Sequence, residues 1–261
     1  MKKGVILKDN FLNVIIFRID YTTILKLCGN NKESAEGFRK FIFNQFPNVE
    51  ILQQKKFNVN MDVESGYLQN VSHEGNLCWI FRNNDGNKEI SLTSNNLVLT
   101  YKKGAYFGFK HFLDDVLLIN SALKEYCPFK LNFLGLRYIN EITDMEINNN
   151  IDEYVSKSIS NNSIIKDFDD ENLIQLFSKL EMQKENHVFT LQYGFYNPTD
   201  DSNHDKHFIL DYDCVNKKIT DIDDVKENLI EMNHLIFEKF EYSITDKFIE
   251  RVGEKYGSTN N

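Results

Sequence analysis

Hydrophobic and polar positions alternate from Ile51 to Tyr101, and this period of two predicts β-strands. The alternating apolar segments are short and broken by turn residues, and Asn84-Asp-Gly86 is a strong signal for a tight hairpin. Asn95-Asn96 joins the last two segments. The pattern therefore predicts an antiparallel meander of about four or five strands.

A helical period replaces the alternation in four other stretches. It predicts a helix within Lys32–Phe46, with Ser34 as N-cap, and a second helix that opens at Lys102–Gly108 and runs to about Tyr126. The stretch Glu171–Leu180 is predicted as a helix capped by Asp170, and Asp223–Arg251 as a long amphipathic helix.

Apolar residues dominate the stretch Lys130–Ile142, which predicts a strand largely buried on both faces. Arg137 is its charged exception, and a buried guanidinium needs carboxylate or carbonyl partners. Arg137 is therefore interpreted either as a structural residue that ties the strand to a neighbouring loop, or as an anion-binding residue. In the second case Asn140 and Tyr138 would lie in the same cleft.

These elements predict an α+β fold in which antiparallel meander sheets pack against long amphipathic helices. Further strands are predicted at Phe11–Ile19, Val188–Phe195 and Phe208–Val215. We predict an N-terminal α+β lobe over 1–142 and an acidic C-terminal α+β lobe over 143–261. In each lobe a group of strands would be followed by a long helix, and the two lobes would be pseudo-symmetric.

Charge is distributed unequally between these lobes. The net charge is -9, and residues 1–142 hold 18 Lys and Arg against 14 Asp and Glu, whereas residues 143–261 hold 12 against 25. An acidic second lobe would repel a nucleic-acid backbone. No apolar run reaches the ~20 residues of a membrane span, and the N-terminus lacks the apolar length of a signal peptide. We therefore predict a cytoplasmic protein with no membrane contact.

The central strand also carries a family resemblance. Leu97–Tyr101, Tyr106 with Phe112, and Gly135-Leu-Arg-Tyr-Ile-Asn140 resemble a sporadically distributed, uncharacterised prokaryotic family, with weaker likeness at Val14–Ile19 and Phe240–Thr245. The family has no assigned activity. Its patchy distribution implies an accessory role in a prokaryotic antiviral defence or mobile-element system.

One loop has residues suited to a divalent metal. Between Asp200 and Asp213 the sequence places three candidate ligands, His207, Asp211 and Asp213, together with Asp200, Asp201, His204 and Asp205. Carboxylate and imidazole groups suit magnesium, manganese or zinc. The alternative interpretation is a solvated polar loop, and no cofactor is predicted from composition alone. The four cysteines form no CxxC pair and are interpreted as buried apolar residues.

A second candidate site combines basic and aromatic residues. Lys102, Lys103 and Tyr106 belong to a segment that would suit single-stranded nucleic acid, or else forms a solvated turn with its aromatic rings in the core. The GxxxxGK[ST], GxGxxG, GxSxG and HExxH motifs are absent from the sequence, which argues against the common nucleotide-binding and hydrolase classes.

The preferred hypothesis is a non-catalytic, soluble accessory protein that binds another protein. The first alternative is a metal-assisted hydrolase or nuclease that uses the Asp200–Asp213 loop. The second is binding of nucleic acid or a nucleotide by the N-terminal lobe, with Arg137 as an anion contact.

Overall fold

The computed structural model describes residues 5–7, 11–53, 56–61, 68–73, 77–143, 145–160, 174–196 and 207–255. Its largest element is a nine-stranded antiparallel sheet in the order β10-β11-β12-β9-β2-β8-β7-β6-β3. Two small two-stranded sheets pair β1 with β13 and β4 with β5. The α+β fold class and the antiparallel sheet predicted from the sequence are confirmed.

The strands are β1 (Val5–Leu7), β2 (Leu12–Tyr21), β3 (Asn48–Gln53), β4 (Lys56–Met61), β5 (Leu68–His73), β6 (Leu77–Arg82), β7 (Lys88–Leu92), β8 (Asn96–Lys102), β9 (Leu131–Ile142), β10 (Gln175–Lys184), β11 (His187–Tyr196), β12 (His207–Asn216) and β13 (Gly253–Lys255). The helices are α1 (Glu36–Ile42), α2 (Phe109–Lys124), α3 (Met145–Asn149), α4 (Ile151–Tyr154), α5 (Val225–Ser243) and α6 (Asp246–Val252).

Helices α1, α2 and α5 pack on the same face of the sheet, which we call the helix face. Phe38 of α1 contacts Phe81 of β6, with ring centroids 5.5 Å apart. Phe112 of α2 meets Tyr101 of β8 edge to face at 5.2 Å, and Phe240 of α5 meets Tyr212 of β12 at 6.0 Å. The strand register places Phe81, Tyr101 and Tyr212 on one side of the sheet, so the aromatic core lies there.

The opposite side of β2, β8, β9 and β10–β12 is more accessible, and we call it the open face. In β9, Leu134, Leu136, Tyr138 and Asn140 are buried on the helix face, whereas Arg137, Ile139 and Glu141 are half-buried. The prediction that β9 is largely buried on both faces therefore holds for the helix face, whereas the open face is only half-buried. Buried and half-buried positions alternate along β9, but the sequence does not show this because apolar residues occur on both faces. The open face as a whole is built largely from β-branched residues: Val14, Ile16, Val98, Ile139, Val188, Ile209 and Val215.

The predicted helix at Glu171–Leu180 is wrong. Residues 171–173 lie outside the described part of the chain, and Gln175–Lys184 forms strand β10, which pairs along its whole length with β11. Helix α1 is preceded by a 3-10 turn at Lys32–Ala35, and this turn is capped by Asn31, whose side chain accepts a hydrogen bond from the Glu33 amide, not by Ser34.

The meander is confirmed for β6, β7 and β8, which are consecutive neighbours in the sheet. The hairpin at Asn84-Asp-Gly86 joins β6 to β7, and Gly86 has a φ of 68°, which favours glycine. The hairpin β4–β5 belongs to a sheet of its own.

Both predicted lobes contribute to the nine-stranded sheet. Strand β9, the last element of 1–142, pairs with β2 on one side and with β12 on the other. No helix among the described residues combines the length and the apolar character needed to cross a bilayer.

Candidate functional site

The candidate site lies on the open face where β9, β12, β11 and β10 run side by side. Arg137 of β9 is the cross-strand neighbour of Asp213 of β12, and Asp211 lies two residues earlier on the same face. Lys179 of β10 and Gln192 of β11 complete the group. We call these five residues the Arg137 cluster. Two adjoining shallow pockets open over it.

Arg137 holds Asp211 with two parallel hydrogen bonds. Its Nε donates to Asp211 Oδ1 over 2.8 Å, and a terminal nitrogen donates to Asp211 Oδ2 over 2.6 Å. The Asp211 side chain is 9% exposed and the Arg137 side chain 42% exposed. A bidentate pair of this kind fixes the plane of the guanidinium. The structural interpretation of Arg137 from the sequence matches this contact, although its partner is a neighbouring strand and not a loop.

Asp213 differs from Asp211 because its carboxylate has no hydrogen-bond partner among the described residues. Burial raises the pKa of Asp213; the Arg137 and Lys179 charges counteract this effect, and the Asp211 charge reinforces it. The carboxylate therefore lies half-buried between strands without a matching donor. A cationic group that approached from the open face would supply one.

The other two predicted binding residues of β9 lie away from Arg137. Tyr138 donates its hydroxyl hydrogen to Asn233 Oδ1 of α5 over 2.9 Å, and the Asn140 amide donates to the Leu210 carbonyl over 3.3 Å. Both are buried on the helix face. The pleat separates Arg137 from Tyr138 and Asn140, so these three residues do not form a common cleft.

The basic-aromatic segment is likewise divided. Lys102 is exposed at the end of β8, with Nζ 3.9 Å from Glu89 Oε2, and Lys103 is exposed in the following turn. Tyr106 packs edge to face on Tyr138 with ring centroids 6.1 Å apart. Tyr106 therefore belongs to the core side, as the solvated-turn interpretation predicts, whereas Phe107 of the same segment is 78% exposed.

His207 belongs to a separate group at the end of the open face. Its Nδ1 lies 2.8 Å from Glu141 Oε1, the Tyr196 hydroxyl donates to the same oxygen, and Asn13 donates to Glu141 Oε2 over 2.7 Å. Burial alone would raise the pKa of Glu141, but the hydrogen bonds from Tyr196 and His207 and the Lys103 charge outweigh it and lower the pKa. Burial and Glu141 raise the pKa of Tyr196 to about 12.

The three candidate metal ligands are not brought together. Asp211 is bound by Arg137 and His207 by Glu141, and no group of three or more His, Cys, Asp or Glu side chains in the described ranges is placed to hold a metal ion. Asp200, Asp201, His204 and Asp205 lie outside the described residues.

Sequence reasoning missed Lys179 and Gln192. Lys179 fell inside a predicted helix, and Gln192 was one polar residue in an apolar strand. A correct assignment of β10 would have placed Phe177, Lys179 and Glu181 on one face by their spacing of two. The meeting of Lys179 with Asp213 depends on strand order, which local sequence does not encode.

Neither a scan against protein-family models nor a search of curated proteins finds a match to this chain. The resemblance to the uncharacterised prokaryotic family therefore stays a prediction.

Proposed function

We propose that the protein is a non-catalytic binding protein that uses the open face around the Arg137 cluster to hold a protein partner with a basic side chain. The observation that carries this proposal is Asp213, a half-buried carboxylate with a raised pKa and no hydrogen-bond donor among the described residues. Around it, Ile139, Ile209 and Val215 offer half-buried apolar surface. Apolar surface around a few placed polar groups is typical of a protein-binding surface.

Charge pairing on the open face favours a protein over a nucleic acid. Arg137 is paired with Asp211 and Arg18 with Asp20; on the same side of the sheet but beyond the open face, Arg82 of β6 is paired with Glu50 and Glu89. Arginines that are already neutralised release few counterions from a phosphate backbone, and strong nucleic-acid binders present unpaired basic stripes. Among the described residues at the centre of this face, the Asp213 carboxylate has no hydrogen-bond donor, and its charge would complement a basic partner.

Affinity capture from native lysate tests the proposal with three variants. Asp213→Asn removes the charge at constant shape, Ile139→Ser removes apolar surface, and Lys226→Glu on exposed α5 is the matched control. We expect a protein that the wild type and Lys226→Glu retain and that both open-face variants lose. Equal retention by all four proteins would contradict the proposal, as would salt-sensitive retention of an oligonucleotide that depends on Lys102 and Lys103.

We infer in addition that the two halves of the chain repeat one element order. In 1–142, β2 is followed by α1, by strands of which the last (β8) pairs with β2, and by α2. The second series begins with β9, which is followed by α3 and α4, by β10–β12 of which the last pairs with β9, and by α5. The antiparallel pairing of β2 with β9 at the centre supports a pseudo-two-fold relation. The resemblance noted above would place such a protein in a prokaryotic defence or mobile-element system.

A further inference from the structure

The outer edge of β10 is the longest strand edge of the sheet. β10 spans ten residues, whereas β3 at the opposite edge spans six. In the part of the chain that the structure describes, no strand pairs with the outer side of β10. Apolar side chains concentrate there: Ile174 is 72% exposed, Phe177 47% and Leu180 50%. A long edge with exposed apolar residues is a template for pairing with another strand.

The hairpin register determines which backbone groups of β10 face outward. β10 and β11 are joined by a two-residue turn, Glu185-Asn186, which closes on the pair Lys184 and His187. Such a turn closes on a hydrogen-bonded pair, and the pattern alternates from there. Even-numbered residues of β10 therefore bond to β11. Odd-numbered residues, including Lys179 and Glu181, direct their amides and carbonyls to the free edge.

The sequence of this edge is complementary to itself in one register. When two copies of β10 pair antiparallel about a two-fold axis at Leu180, Lys179 of each copy lies opposite Glu181 of the other. The neighbouring registers, centred on Lys179 or Glu181, would place like charges opposite each other, which is destabilising. The register at Leu180 also matches the outward hydrogen-bonding residues. It places the two exposed Leu180 side chains against each other.

We propose that the protein forms a homodimer by pairing β10 with β10 of a second copy, centred on Leu180. The two nine-stranded sheets then become one continuous sheet. Because the two-fold axis is perpendicular to that sheet, both open faces lie on the same side. This inference concerns the edge of the sheet and does not depend on what the open face binds.

Proline and charge variants test the pairing in the full chain by sedimentation and light scattering. The wild type is expected at twice the 30.7 kDa chain mass. Glu181→Pro removes an outward amide that β11 does not use, so it should give a folded monomer with an unchanged circular-dichroism spectrum. Lys179→Glu should weaken dimerisation roughly tenfold, because two attractive pairs become repulsive. The double variant Lys179→Glu/Glu181→Lys should restore it, and Lys40→Glu on α1 is the neutral control.

Disulfide trapping tests the register. In a non-hydrogen-bonded antiparallel pair the Cα atoms lie about 4.5 Å apart, within the range of a disulfide. Leu180→Cys should therefore form a covalent dimer on mild oxidation. Leu176→Cys, whose counterpart would be Lys184, should not, and neither should the wild type with its four native cysteines. A wild type that stays monomeric throughout a concentration series overturns the proposal, as does a dimer that survives Glu181→Pro or that Leu180→Cys fails to trap.

Discussion

The Arg137–Asp211 pair gives the sharpest test of how the open face is built. Replacing Arg137 by Met keeps the aliphatic part of the side chain and removes the guanidinium from the Asp211 carboxylate. Removal of one partner from a fully buried pair costs about 3–5 kcal/mol, because the remaining charge is unpaired. Asp211 is nearly inaccessible, but Arg137 is 42% exposed, so water replaces part of the lost contact. We expect the free energy of unfolding to fall by about 2 kcal/mol.

Arg18 provides a matched control on the same face. Its Nε and a terminal nitrogen bind the two oxygens of Asp20 over 2.7 and 2.8 Å, the same bidentate arrangement. Here the side chains are 50% and 24% exposed, so the pair should contribute only about 0.5–1 kcal/mol. Arg18→Met also removes a contact with the Phe133 ring at 5.3 Å. Loss of this contact adds to the destabilisation by Arg18→Met, so a larger destabilisation by Arg137→Met is a stricter test.

Urea unfolding at neutral pH measures both losses. The double variant Arg137→Met/Asp211→Asn should regain at least half of the stability that Arg137→Met loses, because the stranded charge is gone. Two results would refute the reasoning: a loss in Arg137→Met no larger than in Arg18→Met, or a double variant less stable than Arg137→Met alone. Either would mean that burial of Asp211 does not determine the energy of the pair.

Three further predictions concern single sites. Asp213 has a raised folded-state pKa, so its ionisation opposes folding as pH rises above the ordinary value of 3.8; Asp213→Asn should raise the melting temperature at pH 7 and have no effect at about pH 3. Glu141 has a lowered pKa, so the stability that it contributes is lost as pH falls through its folded pKa; Glu141→Gln should lower the melting temperature at neutral pH and less so in acid. A Cβ on Gly194, which has a φ of 151°, would overlap the Leu176 carbonyl oxygen; Gly194→Ala should cost about 2 kcal/mol or more and reduce hydrogen-exchange protection in β10 and β11.

Elements with strong local signals could be predicted from the sequence. The Asn84-Asp-Gly86 turn fixes β6 and β7 by its own backbone preference. The apolar run of β9 is long enough to identify a strand without knowledge of its neighbours. The same holds for α2, where Phe112, Val116, Ile119 and Leu123 recur at helical spacing and are buried.

β10 could not be predicted in this way. Leu176 and Leu180 are four residues apart, as on a helix face, and Phe177 adds to the same stripe. No described strand covers the outer side of β10, so its alternation is weak and the helical spacing competes with it. Only pairing with β11 over ten residues decides between the two. The Arg137–Asp211 contact spans 74 positions for the same reason: it depends on the adjacency of β9 and β12.

The two proposals for the open face and the β10 edge predict separable effects on binding. In the proposed dimer two Arg137 clusters face the same side, so a partner with two basic segments would bind more tightly than one with a single segment, because the second contact is intramolecular. Glu181→Pro would then weaken capture of the two-segment partner and leave the single-segment partner unaffected. Asp213→Asn would weaken capture of both and leave the dimer intact. Protonation of Asp213 should weaken capture as Asp213→Asn does, because a cation binds the ionised form. Capture should therefore strengthen as the pH rises through the raised pKa of Asp213.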